Sequence, residues 1–308
     1  METVPQTLWR WKIAAYLFLA GTGAGALIVG ILGDFAGYTT AAKIAVAFGA
    51  PIVAFSTLFL IVDLGRPAKF LRAMLHPSTS WISRGFYIVS ALMVSGGSIA
   101  VLWVWPFGSV LDANHGVRFS LEILTFVFGI ATCIYTGILI GVVVSRPFWN
   151  NPLLPVLFLI SAVSTGIGGV FCITPIVNSV LRISSFETAA FLNRLELADI
   201  ALVVAEAITI YLYLTLVFDR APEAVRLLLK GQLAGLFWGG FLVAGLLLPL
   251  VIEFVAAVIR EEASPPSAPF FAGMFLLLGG FLMRLLILAA GIRSPLVVRT
   301  PFRVRPGF

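Results

Sequence analysis

Four of the ionisable residues within apolar segments are the first candidates for chemistry. Glu196, Asp199 and Glu206 share one segment, and Arg284 lies in another. On a helix, Asp199 and Glu206 are about 20° apart around the axis, and Glu196 is within about 80° of both. Charges inside apolar helices are costly and are usually functional. The spacing predicts a carboxylate stripe that could relay protons, with Arg284 pairing with Glu206, although a purely structural ion pair would have the same pattern.

A second group of polar side chains surrounds the longest polar break in the chain, residues 63–85. This break contains an acid, several cations and a histidine, and tyrosines lie in two other apolar segments. A quinone needs hydrogen-bond donors for its carbonyl oxygens and acceptors for its protons, around an apolar slot. We therefore predict a quinone site formed by Tyr16, Asp63, Arg66, His76 and Tyr135. Each tyrosine alone would equally suit an anchor at the membrane interface.

The composition of the chain is that of a membrane protein. The 308 residues are 60% hydrophobic and 11% charged, whereas about 25% of residues in a soluble domain are charged. The net charge is +6, but the cations lie beside apolar segments. This distribution fits membrane topology better than nucleic-acid binding.

Eight segments have the length of about 20 apolar residues that a membrane span requires. They cover residues 8–32, 42–63, 84–105, 119–145, 153–182, 191–218, 232–259 and 268–292. Continuous hydrophobicity at this length predicts helices, because the strands of membrane barrels are shorter and alternate. The predicted fold is an all-α integral membrane protein with eight transmembrane helices. Glu122 and Glu253 lie nearer the ends of their segments, and we expect them at the membrane interface.

Two of the segments resemble each other. LFLAGTGAGA begins at Leu17 and LFLISAVSTGIGG begins at Leu157. Both are rich in small residues, which let membrane helices approach closely. This similarity suggests one polytopic membrane domain over residues 1–308, built from halves at about 8–146 and 153–293 that each form a four-helix bundle.

Cations are unevenly distributed between the two sides of the predicted spans. Of the 20 Lys and Arg residues, fourteen fall on the side of the termini, five fall on the other side, and Arg284 is within a span. The first side includes a polar tail at 294–308. Because Lys and Arg are enriched in cytoplasmic loops, we predict a multi-pass protein of a prokaryotic inner membrane with cytoplasmic termini.

The residues that usually hold redox cofactors are scarce. The two histidines, His76 and His115, lie in connecting segments, and the two cysteines, Cys133 and Cys172, lie singly in apolar runs. Haem in a membrane subunit needs axial ligands, and iron–sulfur clusters need grouped cysteines. We therefore predict no haem, iron–sulfur cluster or metal in this chain. Any electron carrier would be on a partner or would be a diffusible molecule.

Several motifs resemble those of one family of membrane subunits. They are WRWKIAAYLFLAGTGAGA from Trp9, DLGRPAKF from Asp63, HPSTSWISRG from His76, SRPFWNNPLLPVLFLISAVSTG from Ser145, NRLEL from Asn193 and MRLLILAAG from Met283. They are similar to the NrfD/PsrC family, the membrane subunits of polysulfide-reductase-type and nitrite-reductase-type complexes. The resemblance covers essentially all eight spans in order.

The resemblance implies a subunit that reacts with menaquinone or ubiquinone and has no cofactor of its own. It implies as partners a ferredoxin-like subunit with four-iron clusters and a molybdenum or other respiratory catalytic subunit. By the same resemblance, Tyr135 matches the family's quinone-site tyrosine and Asp63 approximates its second-helix acid. Tyr16 stands where a polysulfide-reductase-like subunit has histidine, and Ile13 stands where it offers a polar amide. Many relatives work with a partner outside the cytoplasm, whereas the cation bias here places the quinone-site face inside.

Two other functions fit some of the same features. A secondary transporter would explain the similar halves and the buried charges, and would have helices broken near the middle of the membrane. Pro51, Pro175 and Pro249 could supply such breaks. A purely structural membrane anchor is the third possibility. The motifs favour an eight-helix subunit that exchanges electrons between the quinone pool and a docked iron–sulfur protein, with proton transfer.

Overall fold

The protein is an all-α integral membrane protein. A computed structural model describes residues 11–64, 78, 80–104, 107–182, 186–259 and 267–293, with the side chains of 60–64, 109 and 259 left out. In this part of the chain, eight helices are long and apolar enough to cross a membrane. They are α1 (Trp11–Phe35), α2 (Thr39–Leu64), α3 (Trp81–Val104), α5 (His115–Gly141), α6 (Leu153–Leu181), α7 (Phe186–Phe218), α9 (Leu236–Leu247 followed by Leu248–Ile259) and α10 (Ala268–Ala290).

The predicted fold class and all eight spans are confirmed. The largest difference is at α7, which begins at 186 rather than 191. The sequence analysis missed two short helices in connecting segments, α4 (Ser109–Asp112) and α8 (Pro222–Leu229). The helices alternate in direction, so that α1 begins and α10 ends on one side, which we name the terminal face. The other side is named the opposite face.

Helix α1 is the centre of the bundle and contacts α2, α5, α6 and α10. It packs most closely against α6, where Gly25 lies against Ala162 and Gly166 lies against Gly25 and Ala26. A methyl group at either glycine would overlap backbone atoms of the other helix. The two similar glycine-rich segments of the sequence therefore pack against each other. The division into two four-helix bundles stays a prediction.

Prolines do not interrupt the helices that contain them. α2 continues through Pro51 and α6 continues through Pro175. Pro249 follows the π-helical part of α9, which ends at Leu247. The described helices therefore lack the broken segments that would favour a transporter.

The connection between α5 and α6, residues 142–152, folds into the bundle rather than over it. Phe148 and Trp149 are buried. The Trp149 indole donates a hydrogen bond to the carbonyl of Ile287, at 2.7 Å, and the Tyr213 hydroxyl donates to the carbonyl of Phe148. Since buried polar groups need such partners, this connection fixes the terminal-face ends of α7 and α10 relative to α5 and α6.

Candidate functional site

Two of the predicted quinone-site residues lie on neighbouring helices inside the bundle, near the terminal face. Tyr16 is in the second turn of α1, and Tyr135 lies in the last two turns of α5. Both are buried, with exposed fractions of 2% and 3%. Their side chains are close enough to interact electrostatically. Two phenols that are far apart in the sequence thus lie together in an apolar environment.

The start of α3 positions the ring of Tyr135. A methyl group at Gly85 would overlap the phenol carbon and hydroxyl of Tyr135. The helix begins at Trp81, after Ser80, whose side chain accepts a hydrogen bond from the Ser83 amide. Gly85 is therefore part of this site, although the sequence analysis gave it no role. Its place at the end of the polar break was the available signal.

Three other predicted quinone-site residues cannot be located relative to the tyrosines. Asp63 lies in the last turn of α2, on the terminal face, and its side chain is outside the described residues. Arg66 and His76 also lie outside the described residues. Their part in the site stays a prediction.

Arg284 lies at the junction of α1, α6 and α10 and is fully buried. Its guanidinium donates hydrogen bonds to the Ser161 hydroxyl, at 3.3 Å, and to the carbonyl of Gly280, at 2.8 Å. The rings of Phe18 and Phe158 lie 5.9 and 5.4 Å from it. Its Nε and Nη2 atoms have no hydrogen-bond partner among the described residues. The guanidinium is thus stabilised by the dipoles of two hydrogen-bond acceptors and by two aromatic faces. Two of its nitrogen atoms donate no hydrogen bond to the described residues.

The predicted pairing of Arg284 with Glu206 is present as an electrostatic attraction rather than as a direct ion pair. The ion pairs among the described residues all involve Arg118 or Lys43. Glu206 is buried and interacts with Ser161, which also accepts the hydrogen bond from Arg284. The two charges therefore attract each other across a bridging serine. Helical spacing in the sequence does not show that Ser161 of α6 lies between Glu206 and Arg284.

Asp199 and Glu253 face each other from α7 and α9. Their exposed fractions are 0% and 1%, and they interact electrostatically. Asp199 also interacts with Ser164 of α6. No oxygen of either carboxyl group has a hydrogen-bond partner within the described part of the chain. The packing of α9 on α7 turns Glu253 into the bundle, and its predicted depth at the membrane interface stays a prediction.

Polar side chains form a line through the bundle, which we name the interior track. Glu196 is buried and interacts with Glu253. Cys133 interacts with Arg284 and lies two residues before Tyr135 on α5. The whole set is Glu196, Glu253, Asp199, Ser164, Glu206, Ser161, Arg284, Cys133, Tyr16 and Tyr135. The track runs from the carboxylates of α7 and α9 to Arg284 and Cys133, and Cys133 shares α5 with Tyr135.

A separate group of charges, the Arg118 cluster, lies at the opposite face. Arg118 forms ion pairs with Asp34, with Glu122 at 2.8 Å and with Asp112 at 3.4 Å, and it covers the ring of buried Trp103 at 4.2 Å. Glu122 is buried at 3% exposure within this cluster, and its predicted depth at the membrane interface stays a prediction. The sequence signal was the spacing of four residues between Arg118 and Glu122. The cluster joins α1, α3, α4 and α5.

The fold and the interior track define a polytopic helical membrane protein with titratable groups inside its bundle. Residues 1–295 match the family described as "Polysulphide reductase, NrfD". The chain belongs to this family, and the resemblance inferred from its motifs is confirmed. No group of three or more His, Cys, Asp and Glu residues suited to a metal ion occurs among the described residues.

Three relatives match most of the chain. The C subunit of the polysulfide reductase of Wolinella succinogenes is 30% identical over 274 residues, covering 82% of this chain and 85% of the relative. Protein NrfD of Escherichia coli is 29% identical over 311 residues, covering 92% and 95%. The NrfD homolog of Haemophilus influenzae is 27% identical over 322 residues, covering 93% and 95%. The protein thus resembles these relatives along nearly their whole length.

Proposed function

We propose that this protein is the quinone-reacting membrane subunit of a respiratory oxidoreductase complex. The observation that carries the proposal is the position of buried Tyr16 and Tyr135 on neighbouring helices near the terminal face, with Tyr135 packed against Gly85. Phenol hydroxyl groups are donors that suit the carbonyl oxygens of a quinone. The substrate is menaquinone or ubiquinone, which share these two carbonyl oxygens.

The electrons come from or go to a partner. Reduction of a quinone to a quinol takes two electrons and two protons, and this chain would supply binding, orientation and protons. One relative is named as a lettered subunit of polysulfide reductase, which supports membership of an enzyme of several subunits. The partners we propose are a ferredoxin-like subunit with four-iron clusters, docked near the tyrosines, and a molybdenum or other respiratory catalytic subunit.

The proposed location is a prokaryotic inner membrane with cytoplasmic termini, as the cation bias indicates. In this orientation the tyrosines lie near the cytoplasmic face. A phosphatase reporter fused after Phe308 should then be inactive, whereas a fluorescent protein at the same place should be bright.

The interior track is the proposed route for protons. It leads from Glu196, Glu253 and Asp199 through Glu206 and the Arg284 region toward the tyrosines. Burial removes these groups from water, so protons that reach the quinone from the opposite face need such side chains as relays. The bridging hydroxyls of Ser161 and Ser164 each can accept one proton-bearing hydrogen bond and donate another.

The test of the quinone site is Tyr135→Phe, which removes one hydroxyl and keeps the ring that packs on Gly85. Because a hydrogen bond contributes about 1 kcal/mol, we expect quinol-linked turnover of the complex to fall about fivefold. Activity of the catalytic partner with artificial dyes should stay at the wild-type value. Tyr38→Phe is the matched control, since Tyr38 is a partly buried phenol at the opposite face. Wild-type quinol turnover in Tyr135→Phe would refute the assignment of the site.

A further inference from the structure

Three cavities join into one groove on the outer side of α7, α8 and α9. The first, of about 410 Å³, lies deep between α7 and α9 and includes Val203 and Leu250. The second, of about 460 Å³, shares Ala207, Tyr211 and Leu242 with the first and continues toward the terminal face. From Val203 to Phe218, α7 rises about 22 Å. The groove is thus longer than the hydrocarbon thickness of one membrane leaflet, which is about 15 Å.

The third cavity closes the groove at the terminal face and is chemically different. It also has a volume of about 460 Å³ and shares Phe218, Val225 and Leu229 with the second. Its lining includes Arg226 and Lys230, which are exposed cations at the end of α8. The apolar groove therefore ends at this third cavity, which we name the cationic cup because Arg226 and Lys230 line it.

Helix α8 holds this cup at the membrane boundary. Its apolar residues Ala224, Val225, Leu227 and Leu228 are buried, so its polar side faces outward. The indole of Trp238 lines the second cavity and donates a hydrogen bond to the carbonyl of Leu229, at 3.1 Å. Tryptophan is typical of the level of the lipid headgroups. Arg226 and Lys230 therefore lie where the phosphates of a bilayer are found.

We propose that this groove binds one anionic phospholipid, with its acyl chains along α7 and α9 and its phosphate between Arg226 and Lys230. Basic pockets beside transmembrane helices suit anionic headgroups, and each cation near the surface adds about fivefold to the affinity. A quinone tail would also fit the apolar part but has no charge to match the cup. The groove has no lining residue from α1 or α5, and so it is separate from the two tyrosines.

The experiment uses the full-length protein in nanodiscs of phosphatidylcholine that contain one-fifth phosphatidylglycerol. After release, native mass spectrometry counts the lipids of each type that stay bound. For the wild type we expect phosphatidylglycerol to be enriched over its share in the disc. In Arg226→Gln/Lys230→Gln this enrichment should fall by about twentyfold or to the bulk ratio, since two cations are removed. Arg220→Gln is the control, because Arg220 is exposed on the same side and lines none of the cavities.

A second variant tests the acyl part of the site. Ala207→Phe places a ring in the groove and should lower retention of both lipid types; if it folds poorly, Thr215→Phe, on an exposed position of the same cavity, replaces it. The proposal is overturned if the double variant keeps the wild-type enrichment, or if Arg220→Gln loses as much. It is equally overturned if inorganic phosphate alone displaces the lipid, or if no lipid is retained, which would leave the groove to a protein helix.

Discussion

Two groups of buried charges in this bundle differ in how their charges are compensated. In the Arg118 cluster, one guanidinium contacts Asp34 and Glu122 directly. In the interior track, Asp199 and Glu253 face each other, and their oxygens have no hydrogen-bond partner among the described residues. The first group is a set of direct ion pairs, and the second leaves the carboxyl groups of Asp199 and Glu253 without a hydrogen bond from the described residues.

The difference suggests different roles. A buried ion pair compensates the loss of hydration by attraction between its members, and breaking it leaves a costly charge behind. Two adjacent carboxylates cannot both stay ionised in an apolar interior, because like charges and burial each favour the neutral form. Such a pair must hold a proton, and a proton that is held without fixed partners can be passed on. The comparison therefore supports a stabilising role for the Arg118 cluster, and it supports the proton transfer that we propose for the interior track.

The largest expected effect is on stability, at the Arg118 cluster. Arg118→Leu leaves Asp34 and Glu122 buried without their cation, so the free energy of unfolding should fall by about 3–5 kcal/mol. Denaturant unfolding of the purified protein in detergent measures this loss. Lys43→Gln is the control, because its 3.8 Å pair with Asp112 is partly exposed and should contribute at most about 1 kcal/mol.

A triple variant sharpens the same comparison. Asp34→Asn and Glu122→Gln, added to Arg118→Leu, remove all three charges together and should recover much of the stability. Quinol-linked turnover per folded molecule should stay at the wild-type value in each variant. Loss of turnover without loss of stability would mean that the cluster belongs to the functional machinery.

The next largest effect is expected on quinol-linked turnover, when Gly85, which packs against Tyr135, is replaced. Gly85→Ala forces the ring of Tyr135 to move, and a shift of about 1 Å in a reacting group can cost about 100-fold in rate. We expect quinol-linked turnover to fall at least as far as in Tyr135→Phe. Gly97→Ala on the same helix is the control, since nothing lies within 4 Å of an added methyl group there. Equal turnover in the two alanine variants would remove Gly85 from the site.

Much of this fold is a local property of the sequence. A run of about 20 apolar residues specifies a spanning helix by itself, and so all eight spans could be predicted. The carboxylate stripe of α7 follows from the period of one helix, which places Glu196, Asp199 and Glu206 on its buried side.

The contacts between helices could not be predicted in the same way. The serine bridge at Ser161, the inward position of Glu253 and the contact of Gly85 with Tyr135 all depend on which helices are neighbours. Hydrophobicity does not determine which helices pack against each other in a membrane, because lipid and protein surfaces are equally apolar. Close packing at small residues determines which helices are neighbours, as the contact of Gly25 with Gly166 illustrates.

The smallest change in structure, and the sharpest test of the comparison, is Asp199→Asn. The amide keeps the shape of the carboxyl group and removes the charge beside Glu253, so the free energy of unfolding should stay within about 1 kcal/mol of the wild type. If the pair relays protons, quinol-linked turnover and proton uptake from the opposite face should both fall. Oriented proteoliposomes with a pH-sensitive dye on one side measure the uptake. Asp219→Asn is the control, because Asp219 is an exposed acid just after the same helix. Unchanged turnover and unchanged sidedness of proton uptake in Asp199→Asn would mean that the interior carboxyl groups are structural. The two groups of charges would then differ only in whether their members form direct ion pairs.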